Sequence, residues 1–383
     1  MNELNKSFLA VIFYSLSAGA IIVGLPLYLN SIGVSLIGIG ALFGSAVLIA
    51  GVLKIAASAW TDKFGRKRLT QATSGTLVIS TTLFGTLTNA LQIGLVKPLY
   101  DFSSNFYWIL QEIRVMDLTK PTERGKALSV FFAITGVLMA IGMFAGGFIS
   151  QTLGFQAFFF AAGACSLVST IIVWKFKESK KSIKTSIHLS LEVLKKSGAK
   201  KFAAIKILDG CACALVYTFA IPLFFQQQFN LSFEQVGLIV GSLFLVWGVS
   251  SFIHRKDVEK LGVLRIAKII SILEIIFFLG LTLITNNLFF VVVWLLLENI
   301  AYGIYPAAIG KISSLIPNKE NVGRDVTLFD YFADLGKAAG LFIGGILATI
   351  SFSTVFAARG IIFIAIYLLL RTLPKHLESQ VSK

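Results

Sequence analysis

The 383-residue sequence predicts an all-α membrane protein: twelve transmembrane helices in two six-helix bundles related by an internal repeat. Three observations predict it. Apolar runs of spanning length recur along the whole chain, basic and uncharged loops alternate between them, and an ordered set of glycines returns at a nearly constant offset in the second half.

Apolar residues make up 56% of the chain and charged residues 14%, with a mean hydropathy of +0.82. A soluble domain carries about 25% charged residues and could not cover this much apolar surface. A bilayer core about 30 Å thick needs about 20 apolar residues per helix. That requirement places spans near 8–29, 34–58, 69–89, 91–116, 126–150, 155–175, 202–226, 232–253, 264–285, 288–312, 326–350 and 354–372. The runs are far too long for barrel strands, and lipid offers the backbone no hydrogen bonds, so each is a helix. The start, MNELNKSFLA, leads into the first run without a small-residue cleavage site, and reads as a retained span, not a signal peptide.

The loops near 30–33, 90, 151–154, 227–231, 286–287 and 351–353 hold no Lys or Arg. The alternate loops hold Lys63, Arg66, Lys67 and Arg68; Arg114, Lys120, Arg124 and Lys126; a run from Lys175 to Lys201; Arg255, Lys256 and Lys260; and Lys311, Lys319 and Arg324. By the positive-inside rule both termini are cytoplasmic and the protein is a multi-pass component of the cell membrane. The domain division expected is a first bundle over 1–176, a basic cytoplasmic linker over 177–201, and a second bundle over 202–383.

The net charge of +15 raises the prospect of nucleic-acid binding. The distribution argues against it, because the basic residues are scattered through short loops and form no soluble face. Cys165, Cys211 and Cys213 lie in apolar segments, no CxxC occurs, and His188, His254 and His376 are far apart, so neither a metal site nor a disulfide framework is expected.

The repeat is specific. Gly40, Gly44 and Ser45 return as Gly237, Gly241 and Ser242; DKFG at 62–65 returns as EKLG at 259–262; Gly125, Gly142, Gly146 and Gly147 return as Gly323, Gly340, Gly344 and Gly345. Small residues at such spacings let helix backbones approach closely, and an ordered series across the half marks a duplicated six-helix unit. Paired repeats with a site at their interface are a transporter architecture.

TDKFGRKR at 61–68 resembles the cytoplasmic loop between helices two and three of the major facilitator superfamily, roughly G-x-x-x-D-[RK]-x-G-R-[RK]-[RK], with Ser58 in place of the leading glycine. DLTKPTERGKALS at 117–129 resembles that family's loop from helix four to five. GMFAGGFIS at 142–150 resembles its helix-five motif, with Met143 where proline often stands. The resemblance implies that helices one, four, seven and ten line a central cavity. It also implies a cytoplasmic charge cluster of Asp62 and Arg66 with an acid at the end of helix four, for which Asp117 is the candidate. Gly65 would permit the tight turn.

Charges inside apolar spans cost about 2.5–3.5 kcal/mol each on insertion scales and need a reason. Span four carries Lys97, Asp101 and Asn105; Lys97 and Asp101 share a helix face, as a static pair or with Asp101 as a proton-carrying carboxylate. Span seven carries Asp209 and Tyr217, with Lys206 as a structural partner for Asp209. Span ten sets Glu298, Tyr302 and Tyr305 on one face, suited to a cationic or hydroxylated ligand or to an inter-helix contact. Asp330 and Asp334, near Lys337 in span eleven, read as a cytoplasmic gate. Arg359 in span twelve snorkels or pairs, and Glu274 in span nine has no assigned role.

No HExxH, GxSxG or GxxxxGK[ST] occurs, so neither an enzyme nor a cofactor is expected, and the driving force is an ion or substrate gradient. The expectation is a secondary transporter, with a small molecule as substrate, protons as the coupling ion and the lipid bilayer as its surroundings. Export of amphipathic or drug-like compounds leads; uptake of a sugar or organic acid is the alternative, and a non-transporting sensor is the remote one.

Overall fold

The computed structural model describes residues 2–120, 124–177, 191–254, 262–316, 322–374 and 377, with the side chains at 55–64, 124–126, 129, 191, 322–325 and 327 left aside. Among these residues the chain is helical without a strand. The first six helices are α1 (Glu3–Ser31), α2 (Leu36–Phe64), α3 (Arg66–Phe84), α4 (Ala90–Leu118), α5 (Arg124–Thr152) and α6 (Gly154–Trp174). After a short 3-10 turn (Leu191–Lys195) come α7 (Ala199–Cys213), a π-turn (Ala214–Thr218), α8 (Ala220–Phe229) and α9 (Phe233–Ile253). The last five are α10 (Val263–Leu281), α11 (Leu288–Tyr302), α12 (Tyr305–Leu315), α13 (Val322–Ile350) and α14 (Phe352–Arg371).

Each predicted span is found, two of them in pieces. Span seven divides into α7, the π-turn and α8 because Pro222 has no N–H for the carbonyl of Thr218, and its ring crowds that carbonyl. Span ten divides into α11 and α12 for the same reason, with Pro306 set against Tyr302. The loop expected between spans two and three contracts to Gly65, whose φ of +81° suits glycine and starts α3 on Arg66.

Nine stretches among the described residues are long and apolar enough to cross a membrane. The helices outside that set are α3, α4 and α10. Helix α3 opens on three basic residues and is rich in Ser and Thr; α4 carries Lys97, Asp101, Glu112, Arg114 and Asp117; α10 carries Arg265, Lys268 and Glu274. Helices with such side chains cross a bilayer by turning them toward protein partners. Large apolar side chains such as Leu91, Leu95, Leu283 and Phe289 point outward, as hydrocarbon surroundings require.

Contacts divide the chain into two compact units: Met1–Ser35, Ser45–Ser186 and Pro222–Phe252 in one, Leu36–Gly44, Ile187–Ile221 and Ile253–Lys383 in the other. In the first unit α1 packs on α5 and α6, and α3 on α4 and α6. A Cβ on Gly142 would lie 2.1 Å from the backbone oxygen of Leu16, so α5 meets α1 nearly backbone to backbone. In the second unit α13 packs on α7, and α10 on α14. There Gly340 takes the same part: its Cβ would lie 2.3 Å from the backbone oxygen of Cys211.

The repeat also appears in two further crossings. Gly147 lies against Gly237 inside the first unit, and Gly345 lies against Gly40 inside the second. Both pairs consist of residues singled out by the 197- and 198-residue offsets.

Candidate functional site

Each unit buries its own polar constellation. In the first, Lys97 and Asp101 form an ion pair along one face of α4, both more than nine-tenths buried, with the ammonium 5.7 Å from the Tyr100 ring. Asn105 turns back one turn and donates to the backbone oxygen of Asp101 at 2.8 Å. Across the helix contact, the Tyr14 hydroxyl on α1 meets the Ser104 hydroxyl at 2.8 Å, and its ring lies tilted against Tyr107 with centroids 4.7 Å apart. Trp108 belongs to an apolar cluster with Val11, Val115 and Phe131.

At the basic-loop end of the same unit, Arg66 donates to Asp117, joining the start of α3 to the end of α4. Asp62 lies in the last turn of α2, and its side chain is outside the described residues. Arg114 ties α4 to the chain start: it donates to Glu3 at 2.6 Å, to Ser7 at 3.0 Å and to the backbone oxygen of Lys177 at 3.1 Å.

The second unit holds a denser cluster. Arg359 on α14 is fully buried, and its guanidinium donates twice to one carboxylate oxygen of Glu274 on α10, at 3.1 and 2.6 Å. A third donation, at 3.0 Å, goes to the backbone oxygen of Ala212, where α7 approaches the π-turn. Glu298 on α11, also fully buried, brings a carboxylate oxygen to 3.7 Å from the same guanidinium. Tyr217 donates to the other oxygen of Glu298, and Asn299 donates to it at 2.8 Å. Aromatic rings box the cation: Phe278 at 4.4 Å, Tyr217 at 4.8 Å, and Tyr302 and Phe363 at 5.2 Å. Tyr302 and Tyr305 stack on each other at 5.2 Å across the α11–α12 break.

One sequence expectation changes here. Lys206 does not bond Asp209; it reaches across to Asp330 on α13 at 2.9 Å. Helix α13 runs along α7 and brings that carboxylate into reach, while a buried oxygen of Asp209 has no hydrogen-bond donor. Of the two roles expected for Arg359, snorkelling or pairing, the structure shows pairing, with the side chain wholly inside the unit. Asp334 accepts from Lys337 one turn along α13, at 3.0 Å. Sequence reasoning left Glu274 without a role, yet it is the principal partner of Arg359. The available signal was an acid and a base each stranded in an apolar run, since neither is tolerated alone in such surroundings.

Comparison with known proteins agrees with these features. The sequence profile of the Major Facilitator Superfamily matches residues 7–254 and 202–383. Multidrug resistance protein 2 of Bacillus subtilis is 25% identical over 361 residues, covering 91% of this chain and 89% of that protein. An uncharacterised transporter of the same type from Methanocaldococcus jannaschii is 23% identical over 346 residues, covering 88% of each. Among solved structures, a D-xylose–proton symporter superposes with a TM-score of 0.82 over 100% of both chains at 14% identity, which speaks to the fold.

Proposed function

The chain belongs to the major facilitator superfamily and is a multi-pass membrane transporter; on that footing we propose that it exports small amphipathic or drug-like compounds, driven by protons. Two six-helix bundles, 1–176 and 202–383 with the basic segment 177–201 between them, alternate access to a shared solute. Both termini lie in the cytoplasm, and the membrane is that of the cell.

The observation that carries this reading is the buried cluster around Glu298. An acid held by Tyr217, beside a guanidinium that Tyr217 and Tyr302 also face, offers charge and π-faces together, which suits a cationic amphipath and costs the protein solvation unless it serves a purpose. Sequence likeness to a bacterial multidrug resistance protein supports the direction of transport. The buried Lys97–Asp101 pair favours a second reading, uptake of an anionic or polyhydroxylated nutrient, because an ammonium can turn from its carboxylate to a ligand. In the export reading, Asp62, Gly65, Arg66 and Asp117 with Asp330 and Asp334 form the cytoplasmic gate.

The test is transport by purified protein in liposomes. With an imposed pH gradient, a lipophilic cationic dye such as ethidium should move against its gradient, and a protonophore should abolish the movement. Gradient-driven accumulation of a sugar or organic acid, with no dye movement, would establish the second reading instead.

A further inference from the structure

The charges of the second unit do not balance around Arg359. One guanidinium faces two fully buried carboxyl groups, and its two short bonds go to Glu274 alone. Glu274 and Glu298 each retain one buried oxygen without a donor, Oε1 in both cases. The two carboxyl groups meet at one guanidinium nitrogen, which lies 2.6 Å from Glu274 Oε2 and 3.7 Å from Glu298 Oε1. Two carboxylates facing each other out of water cannot both stay ionised beside one cation; one of them holds a proton.

We infer that Glu298 is a proton-binding site, carrying its proton on Oε1 toward Glu274 while Arg359 pairs with Glu274, and that this site is the proton carrier of the transport cycle proposed above. The bonding pattern favours Glu298 as the protonated partner. Glu274 has its charge met by two donations from Arg359, whereas Glu298 Oε2 accepts from a neutral hydroxyl and a neutral amide. A hydrogen on Glu298 Oε1 would supply the donor that both orphaned oxygens lack.

Loss of that proton to water leaves a second carboxylate 3.7 Å from the guanidinium. Arg359 is then drawn toward Glu298 and must loosen its hold on Glu274 or on the backbone of Ala212. No bond other than O–H changes, and the cluster's charge changes by one. The other ionisable groups around it are Asp209 and Cys213 on α7, Tyr217 in the π-turn, Tyr302 on α11 and Tyr305 on α12. Lys337 on α13 is committed to Asp334 but contributes positive charge near Asp209. Asp209 is the competing site, since one of its oxygens is also buried without a donor.

The experiment is infrared difference spectroscopy of the full chain in lipid vesicles, titrated with pH, with proton uptake counted in parallel by an indicator dye. Neither readout needs a transported solute. The wild type should show the C=O stretch of a buried carboxylic acid at neutral pH, lost on alkaline titration. Glu298→Gln should lose that band and take up one proton fewer, Glu298→Asp should keep it with a shifted midpoint, and Asp209→Asn should leave it in place. A band that survives Glu298→Gln, or that disappears in Asp209→Asn, overturns the assignment. So does a wild type without a protonated carboxyl at neutral pH. If the band behaves as expected but liposome transport ignores the pH gradient, the site stands and the proton-driven reading fails.

Discussion

The guanidinium of Arg359 and the carboxylate of Glu274 are joined by two hydrogen bonds to a single oxygen, on helices 85 residues apart in sequence. Both side chains are completely buried. Removing one partner strands the other charge, so Glu274→Ala should destabilise the protein by about 3–5 kcal/mol. Replacing both, as Glu274→Gln with Arg359→Met, should recover most of that loss, because a buried pair has little net worth against apolar packing. Thermal unfolding of the purified variants in detergent measures both; additive losses in the double variant would contradict the pairing.

Glycine crossings give a sharper packing prediction. Gly142→Ala and Gly340→Ala each push a methyl group to within 2.1 and 2.3 Å of a neighbouring helix's backbone oxygen, which cannot swing aside. Each should cost about 1–3 kcal/mol through overpacking. Gly75→Ala, in α3 with open space at its Cβ, should be neutral or stabilise by up to about 1 kcal/mol through helix propensity. The unfolding midpoints of the three variants compare directly.

Arg66 and Asp117 are each about a quarter exposed. A pair that wet contributes about 0–1 kcal/mol, so its loss should scarcely change folding. If the pair acts as a gate, Asp117→Asn should reduce the initial transport rate at least tenfold with the unfolding midpoint unchanged. The exchanged variant, Arg66→Asp with Asp117→Arg, should restore part of the rate. A fall in transport matched by a fall in folded protein would make the contact purely structural.

Lys97 and Asp101 stand one turn apart on α4 and are buried together. Lys97→Gln should lower stability by leaving the carboxylate without its cation, and Asp101→Asn should do the same to the ammonium, each by about 3 kcal/mol. Should the pair touch the solute, ligand-induced thermal shifts would vanish in both variants. In Gly75→Ala, whose added methyl meets open space, they would remain.

Much of this fold was legible. The twelve spans follow from bilayer thickness and hydropathy, and the glycine series marked residues that let backbones approach closely, though not which helices they meet. The pair Lys97–Asp101 was readable because both partners sit on one helix, where spacing fixes adjacency. Arg359–Glu274 and Lys206–Asp330 were not, because each joins helices whose adjacency depends on how the bundle closes. Local spacing instead pointed Lys206 at Asp209, three residues along, and tertiary packing overrode it. The breaks after the π-turn and before Pro306 were available from Pro222 and Pro306, but hydropathy windows smooth over such interruptions.

Tyr217 sits inside the π-turn, and Tyr302 is the last residue of α11 before the break. Both rings face Arg359, and Tyr217 also holds Glu298. The regular helical ladder is interrupted at both places, so these are joints in otherwise stiff rods. On the proposed protonation of Glu298, the charge it gains or loses lies beside both interruptions. The buried charges of this unit and the breaks in its helices fall at the same residues.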